Sequence, residues 1–256
     1  MQPIGDGVLQ VEPTDHCNLT CSMCAPHHER WETVHGIAKG MLDPQLWDQI
    51  LTGLVADDCR FDHIIFQWLG DPSLHPALPD LIRSTVAQMS SRVGYLRVDT
   101  NGILLTPDRI DQLIDVACLP GAPPILIVFT VDAASEAVYT RVKGQDALRR
   151  VRRHIRHLIR RRREHGETCR INLQIQFVVQ EGNAHEAGAF LNYWRGLLDC
   201  QSDERWHDEI LFKRLSVGGG SKGQAEADEL YRQTVERFEI HPGVLGAIHI
   251  KTRESR

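Results

Sequence analysis

The chain has no excess of positive charge: 29 Lys and Arg against 34 Asp and Glu leave a formal net charge of -5. Such a balance offers no general electrostatic field for nucleic acid. A charged-then-apolar leader is absent, and so is any run of 18 apolar residues. The expectation is a protein that is neither secreted nor membrane-spanning and works in the cytoplasm. There is no internal repeat and no Pro- or Ser-rich linker. An even set of cysteines, as a disulfide framework needs, is also missing. The chain has seven, and Cys59, Cys118, Cys169 and Cys200 are scattered singly, which suits a reducing compartment. The remainder is ordinary for a globular protein, 42% hydrophobic and 25% charged. At 256 residues the chain is long enough to bury a sizeable core, as one large domain or two small ones.

The other three cysteines stand together in Cys17-Asn18-Leu19-Thr20-Cys21-Ser22-Met23-Cys24. An alternating stretch, Val8 to Pro13, precedes them and reads as a strand. The thiols therefore sit on a loop leaving the C-terminal end of the first strand. Three cysteines cannot complete the closed four-ligand shell of a structural zinc or of an ordinary 4Fe–4S cluster. An iron held by a three-cysteine set keeps an open position for a substrate or cofactor. The competing reading is zinc, with His16, His27 or His28 as fourth ligand.

Five more strand-and-helix units follow. Asp43 reads as an N-cap and Pro44 as a first helical residue, with Leu46, Trp47, Ile50, Leu51 and Leu54 as the apolar stripe. Strands are predicted at His63–Leu69, Tyr95–Thr100, Ile125–Val131, Ile171–Val179 and Ile210–Val217. Helices are predicted at Leu78–Met89, from Pro107 through Ala117 with Thr106 as cap, over 135–143 and 146–164 with a break at Gly144, at Ala184–Leu198 and from about Gln224 to Phe238. This alternation predicts right-handed parallel βαβ units. A doubly wound sheet and an open barrel both satisfy it, and in either the chemistry sits at the C-terminal ends of the strands.

The CxxxCxxC spacing is the signature of the radical S-adenosylmethionine (SAM) enzymes. The run Glu12-Pro13-Thr14-Asp15-His16-Cys17-Asn18-Leu19-Thr20-Cys21 resembles the opening of their SPASM-associated branch. The segment after Val217 has no cysteine and hence no auxiliary-cluster motif of that branch. The resemblance implies a partial (β/α)6 barrel over 1–217 with a C-terminal helical extension or lid over 218–256. It implies a 4Fe–4S cluster on Cys17, Cys21 and Cys24, with SAM chelating the open iron. One electron from the reduced cluster cleaves SAM, and the resulting 5′-deoxyadenosyl radical takes a hydrogen atom from the substrate.

Further segments match the family in order. Gly70-Asp71-Pro72 is similar to the glycine-rich stretch that binds the SAM amino group, with Leu69 and Asp71 where the family has Gly and Glu. Thr100-Asn101-Gly102 resembles the adenosine-side segment, and Asp132 the position that meets the SAM ribose or carboxylate. Arg141 is the cation expected to pair with that carboxylate, and Met23 lies where the family packs adenine. Each has a plainer reading: turns at Gly70–Pro72 and Asn101–Gly102, an exposed helical Arg141, a core-filling Met23. Gln176, on a strand face otherwise apolar, needs a polar partner and is a candidate contact for SAM or substrate. Asn183 and Glu186 match a family pair but read equally as helix caps. Nine arginines fall between Leu148 and Arg163; Leu148, Val151, Ile155, Leu158 and Ile159 recur with them at helical spacing, so the run reads as an amphipathic helix with a solvated face.

The expected function is radical chemistry on a small-molecule or peptide substrate of a biosynthetic pathway, by epimerisation, dehydrogenation or rearrangement. It implies a reducing electron donor such as flavodoxin or ferredoxin. The alternatives are a radical SAM methyltransferase and a non-enzymatic iron–sulfur or zinc regulator.

Overall fold

The structure is a computed structural model and describes residues 7–24, 39–198, 207–216 and 221–240. His27, His28, Cys200 and Val217–Gly220 fall outside the described residues. In chain order the elements are β1 (Gly7–Val11), α1 (Pro44–Ala56), β2 (Phe61–Phe66), α2 (Leu78–Met89), β3 (Val93–Thr100), α3 (Pro107–Ala117), β4 (Ile125–Thr130), α4 (Glu136–Lys143), α5 (Leu148–His165), β5 (Ile171–Val179), α6 (Ala187–Arg195), β6 (Glu209–Arg214) and α7 (Ser221–Arg237).

Six parallel strands form one sheet in the order β1-β2-β3-β4-β5-β6. A doubly wound sheet reverses its strand order at a switch point; this order never reverses, which is the connectivity of a partial (β/α)6 barrel. Short 3₁₀ turns lie at Pro72–Leu74 and Ala184–Glu186. The predicted helix from Ala184 therefore starts as a 3₁₀ turn, and the α-helical part is Ala187–Arg195. The first strand stops at Val11, where Pro13 brings no N–H to a ladder. Asp43 caps α1 as expected, accepting from the Gln45 N–H at 2.9 Å. Thr106 makes no side-chain cap bond.

Backbone proximity groups the chain into two compact units, one of residues 1–18, 29–128 and 150–172, the other of residues 19–28, 129–149 and 173–256. In the first unit α1 and α2 cover one face of β2 and β3. The Trp47 ring meets Phe66 edge-on at 6.0 Å, and its indole N–H donates to the Leu81 carbonyl and the Thr85 hydroxyl. Ile64, Phe66, Leu96 and Val98 point to this face and are fully buried, as strand alternation requires. Each contributes roughly 1.5–3 kcal/mol of transfer free energy. The alternate residues His63 and Tyr95 stack on the other face, ring centroids 4.6 Å apart. In the second unit Phe177 of β5 packs on Phe190 of α6 and Phe212 of β6, at 4.8 and 5.3 Å. Helix α7 joins this unit, where the Tyr231 hydroxyl donates to the Phe212 carbonyl at 3.3 Å and Arg214 pairs with Asp228 at 3.0 Å.

Candidate functional site

In the first unit the chain leaving β1 is locked to the chain leaving β2. The Glu12 carboxylate accepts the backbone N–H groups of Leu69 at 2.6 Å and Gly70 at 3.0 Å. Asp71 N–H donates to the His16 carbonyl at 2.8 Å. Gly70 sits so close to this segment that a Cβ would lie 2.1 Å from the Thr14 carbonyl oxygen and 2.6 Å from that of His16. Glycine is therefore a steric requirement here. Two residues beyond His16, Asn18 accepts from the Asn101 side-chain amide at 2.8 Å. Both neighbours of Cys17 are thus anchored.

Asp71 is buried and links the ends of β2 and β3. Its carboxylate accepts from Ser73 N–H (2.9 Å), the Ser73 hydroxyl (2.5 Å), the Thr100 hydroxyl (2.9 Å) and Asn101 N–H (2.6 Å). Burial pushes its pKa up, and these donors oppose that shift. Thr100 and Asn101 also close their own turn, accepting from Gly102 and Ile103 N–H, with Gly102 at φ 77°. The turn reading of this segment is therefore realised in full, and the turn stands at a strand end beside the cysteine loop's base.

In the second unit the rest of the cysteine loop hangs on the end of α4. Thr20 N–H donates to the Lys143 carbonyl at 3.3 Å and Ser22 N–H to the Val142 carbonyl at 2.9 Å. Gly144 ends the helix at φ 77°, and a Cβ on it would lie 2.1 Å from the Thr20 hydroxyl oxygen. The Ser22 hydroxyl donates to Gln180 at 3.2 Å, and the Gln180 amide reaches the Met23 sulfur at 3.6 Å. Met23 is thus held by a polar side chain at the end of β5, not packed as core.

Behind this loop lies a buried ion pair. The Lys143 ammonium bonds the Asp132 carboxylate, with side chains 3% and 1% exposed. Asp132 has φ 60°, a conformation Asp tolerates better than most residues. Its other oxygen accepts Val178 N–H at 2.6 Å, and Asn183 donates to its carbonyl at 2.9 Å. Burial works against the charge on Lys143, but the attraction of Asp132 and Cys21 and the bond to Asp132 outweigh it and hold its pKa above the usual lysine range. Burial also raises the Cys21 thiol, and the Lys143 charge works to lower it.

Arg141 does not join this group. It is exposed and donates to the Gly182 carbonyl at 2.5 Å. The cation beside the cysteine loop is Lys143. Helical spacing carries the signal: Tyr139, Val142 and Lys143 share an inward face at i, i+3 and i+4, which Arg141 leaves. Gln176 is buried on β5, where its carbonyl accepts from Val131 and Asp132 N–H at 3.1 and 3.3 Å. Pro72 opens the 3₁₀ turn after Asp71. Asn183 and Glu186 do not cap their own helix with their side chains. Glu186 instead accepts Ala134 and Ser135 N–H at the start of α4, at 2.7 and 3.1 Å. Glu12, Asn18, Gln180 and Lys143 make the contacts that hold the cysteine loop and its surroundings; pattern reading gave them no role, because their partners lie far along the chain.

Cys17, Cys21 and Cys24 are half-buried and not disulfide-bonded. Among the described residues no three His, Cys, Asp or Glu side chains converge as a ready metal-ligand group. The His16 Nδ1 lies 3.0 Å from the Thr14 hydroxyl and 3.3 Å from the Gly40 carbonyl. Three thiols are the donor set that a 4Fe–4S cluster with an open iron takes; His27 and His28, candidate fourth ligands of a zinc, lie outside the described residues. Cys59 and Cys118 are half-buried and Cys169 is buried; burial, with Cys118 beside it, pushes the Cys169 thiol up to about 12.

The profile of the radical SAM superfamily matches residues 11–172. The chain belongs to the radical SAM superfamily. That family uses a 4Fe–4S cluster and SAM. Among curated relatives, the tungsten-containing aldehyde ferredoxin oxidoreductase cofactor-modifying protein of Pyrococcus furiosus is 27% identical over 72% of this chain and 47% of its own length. A GTP 3′,8-cyclase of Synechococcus is 32% identical over 54% of this chain and 35% of its own. The chain thus spans half or less of the length of these relatives. Among solved structures, anSMEcpe with bound AdoMet and the Kp18Cys peptide aligns with a TM-score of 0.64 at 15% identity, over 90% of this chain and 58% of that one. Streptococcus suis SuiB bound to its precursor peptide SuiA aligns at 0.55 and 11% identity, over 91% and 46%. At these identities the alignments show a shared fold. Among the described residues no helix of this radical SAM protein is long and apolar enough to cross a membrane.

Proposed function

We propose that this chain is a radical SAM enzyme that removes a hydrogen atom from a small-molecule or peptide substrate. The observation that carries the reading is the three-thiol loop, fixed residue by residue to the C-terminal ends of the strands. Cys17, Cys21 and Cys24 are the cluster ligands. When bound, the reduced cluster and SAM supply a 5′-deoxyadenosyl radical.

The chain's own residues position and shield. Gly70, Asp71 and Pro72 with Thr100 and Asn101 form the rigid edge against which SAM's polar groups lie. Met23, pinned by Gln180, offers a polarizable thioether to the adenine. Asp132 and Lys143 place a buried charge pair beside Cys21, Gln176 stands on the adjoining strand, and Arg141 lies on the outer rim of the same helix. Residues 218–256 serve as an extension to the 1–217 core. The cofactor-modifying relative and the peptide-bound neighbours support a substrate of either kind, and the outcome is an epimerisation, dehydrogenation or rearrangement. A low-potential carrier such as flavodoxin or ferredoxin supplies the electron.

Anaerobic reconstitution with iron and sulfide tests the ligand assignment. About four irons and four sulfides per chain are expected, with an electron paramagnetic resonance signal that changes on adding SAM. Substituting Ala for Cys17, Cys21 or Cys24 removes the signal. A colourless protein retaining one zinc per chain contradicts the reading.

A further inference from the structure

The fold brings together two cysteines that stand far apart in sequence and outside the cysteine loop. Cys118 closes the C-terminal end of α3, its N–H donating to the Ile114 carbonyl at 2.9 Å. Cys169 ends the 3₁₀ turn Gly166–Thr168 just before β5, its N–H donating to the Gly166 carbonyl at 3.1 Å. The two thiols are in hydrogen-bonding contact. Backbone bonds fix the segments that carry them. Ile125 N–H donates to the Arg170 carbonyl at 2.8 Å, and the Arg170 guanidinium donates to the Ala122 carbonyl at 3.2 Å. All of these residues belong to the first compact unit.

The two sulfurs differ in access. Cys169 is 7% exposed, whereas Cys118 is half-buried and followed by the exposed Leu119 and Pro120. A reagent from solvent therefore meets Cys118 first, and the sulfur behind it is Cys169. Both cysteines end their elements. Drawing the sulfurs from contact to a bond of about 2 Å thus displaces a helix end and a turn, and breaks no strand pairing. The pair lies at the N-terminal ends of β4 and β5, whereas Asp71 and Thr100 of the same unit stand at C-terminal strand ends.

We propose that Cys118 and Cys169 form a redox-active dithiol, a modification site that closes to a disulfide on reaction with a glutathione-type disulfide. The Cys118 thiolate attacks one sulfur of the small disulfide, forming a mixed disulfide and releasing one small thiol. The Cys169 thiolate then attacks the Cys118 sulfur and displaces the second. Two protein S–H groups are oxidised, one small disulfide is reduced, and the two protons end on the released thiols. Burial keeps Cys169 from being capped separately, so the closed bridge is the end point. In a reducing compartment such a bridge is transient and marks exposure to oxidant. It closes a loop of roughly fifty residues that holds β4, α4 and α5, and a closure of that size stabilises by restricting the unfolded chain.

The experiment incubates the full chain with glutathione disulfide under nitrogen, alkylates the free thiols and maps tryptic peptides by mass spectrometry. Cleavage after Arg109, Arg141, Arg163 and Arg170 puts Cys118 in Ile110–Arg141 and Cys169 in Glu164–Arg170, and leaves every other cysteine on a different peptide. The expected result is these two peptides joined, two hydrogen masses lighter than their sum. The melting temperature should rise by on the order of 5–10 °C and fall back on adding dithiothreitol. Cys118→Ser should show no such rise with the oxidant. Cys17→Ser/Cys21→Ser/Cys24→Ser should give the same bridge, so the test needs no cluster and stands apart from the radical SAM reading. Recovery of both peptides in alkylated form overturns the proposal, as does Cys118 left joined to glutathione beside an alkylated Cys169.

Discussion

Lys143 and Asp132 show how much one buried pair decides. Both are out of water, and removing one partner leaves the other charge uncompensated. Lys143→Met is expected to destabilise the apo protein by roughly 3–5 kcal/mol, read by urea denaturation. The double change Lys143→Met/Asp132→Asn recovers a large part, because the amide oxygen still accepts from Val178. If the single and double variants unfold at the same urea concentration, the pair is not the source of the loss. His154 offers a second single-residue test. It is buried on α5, and its Nδ1 donates to the Gly102 carbonyl at 2.9 Å. Burial pushes its pKa below the ordinary histidine value, with nearby arginines adding to the shift. The unfolded chain therefore takes up the proton first, and stability falls as pH drops below about 6.5. Melting temperatures at pH 7.5 and 5.5 should differ more for wild type than for His154→Gln; equal differences rule out His154 as the sensor.

Among the elements, two glycines hold the cysteine loop. Gly144→Ala meets two costs at once, a positive φ and a Cβ 2.1 Å from the Thr20 hydroxyl. Strain of the first kind costs on the order of 1–3 kcal/mol. The variant should melt lower and take up less iron on reconstitution. Adding Thr20→Ala should restore only the part due to the collision. For Gly70→Ala the clash is with backbone, which no companion substitution relieves, so the larger loss of stability is expected there. Full iron uptake by Gly70→Ala would show that the loop's base does not depend on this approach.

The elements were largely legible before the structure. Ile171–Val179, Leu78–Met89 and Pro107–Ala117 coincide with their predicted limits, since each has a clear period and a Pro, Gly or polar stop. The interior of the site was less so. Asp71 was placed by its neighbours in sequence, yet its work is to join Thr100 and Asn101, some thirty residues on. Asn183 and Glu186 looked like caps because capping is a local rule, and their real partners are Asp132 and the start of α4. Arg141 is the cation that the family resemblance points to, whereas the helical face brings Lys143 to the cysteine loop.

For the whole molecule, the strand order β1 to β6 turns a run of βαβ units into successive C-terminal strand ends; Asp71 and Thr100 stand at such ends in the first unit, Asp132 and Gln180 in the second. The account requires that the protein, loaded with its cluster, cleaves SAM. The most direct measurement is release of 5′-deoxyadenosine and methionine by the anaerobically reconstituted protein given dithionite and SAM. The account predicts multiple equivalents of each per chain for wild type and none for Cys17→Ala, Cys21→Ala or Cys24→Ala. A wild-type protein with a full, reducible 4Fe–4S cluster that leaves SAM intact would contradict it.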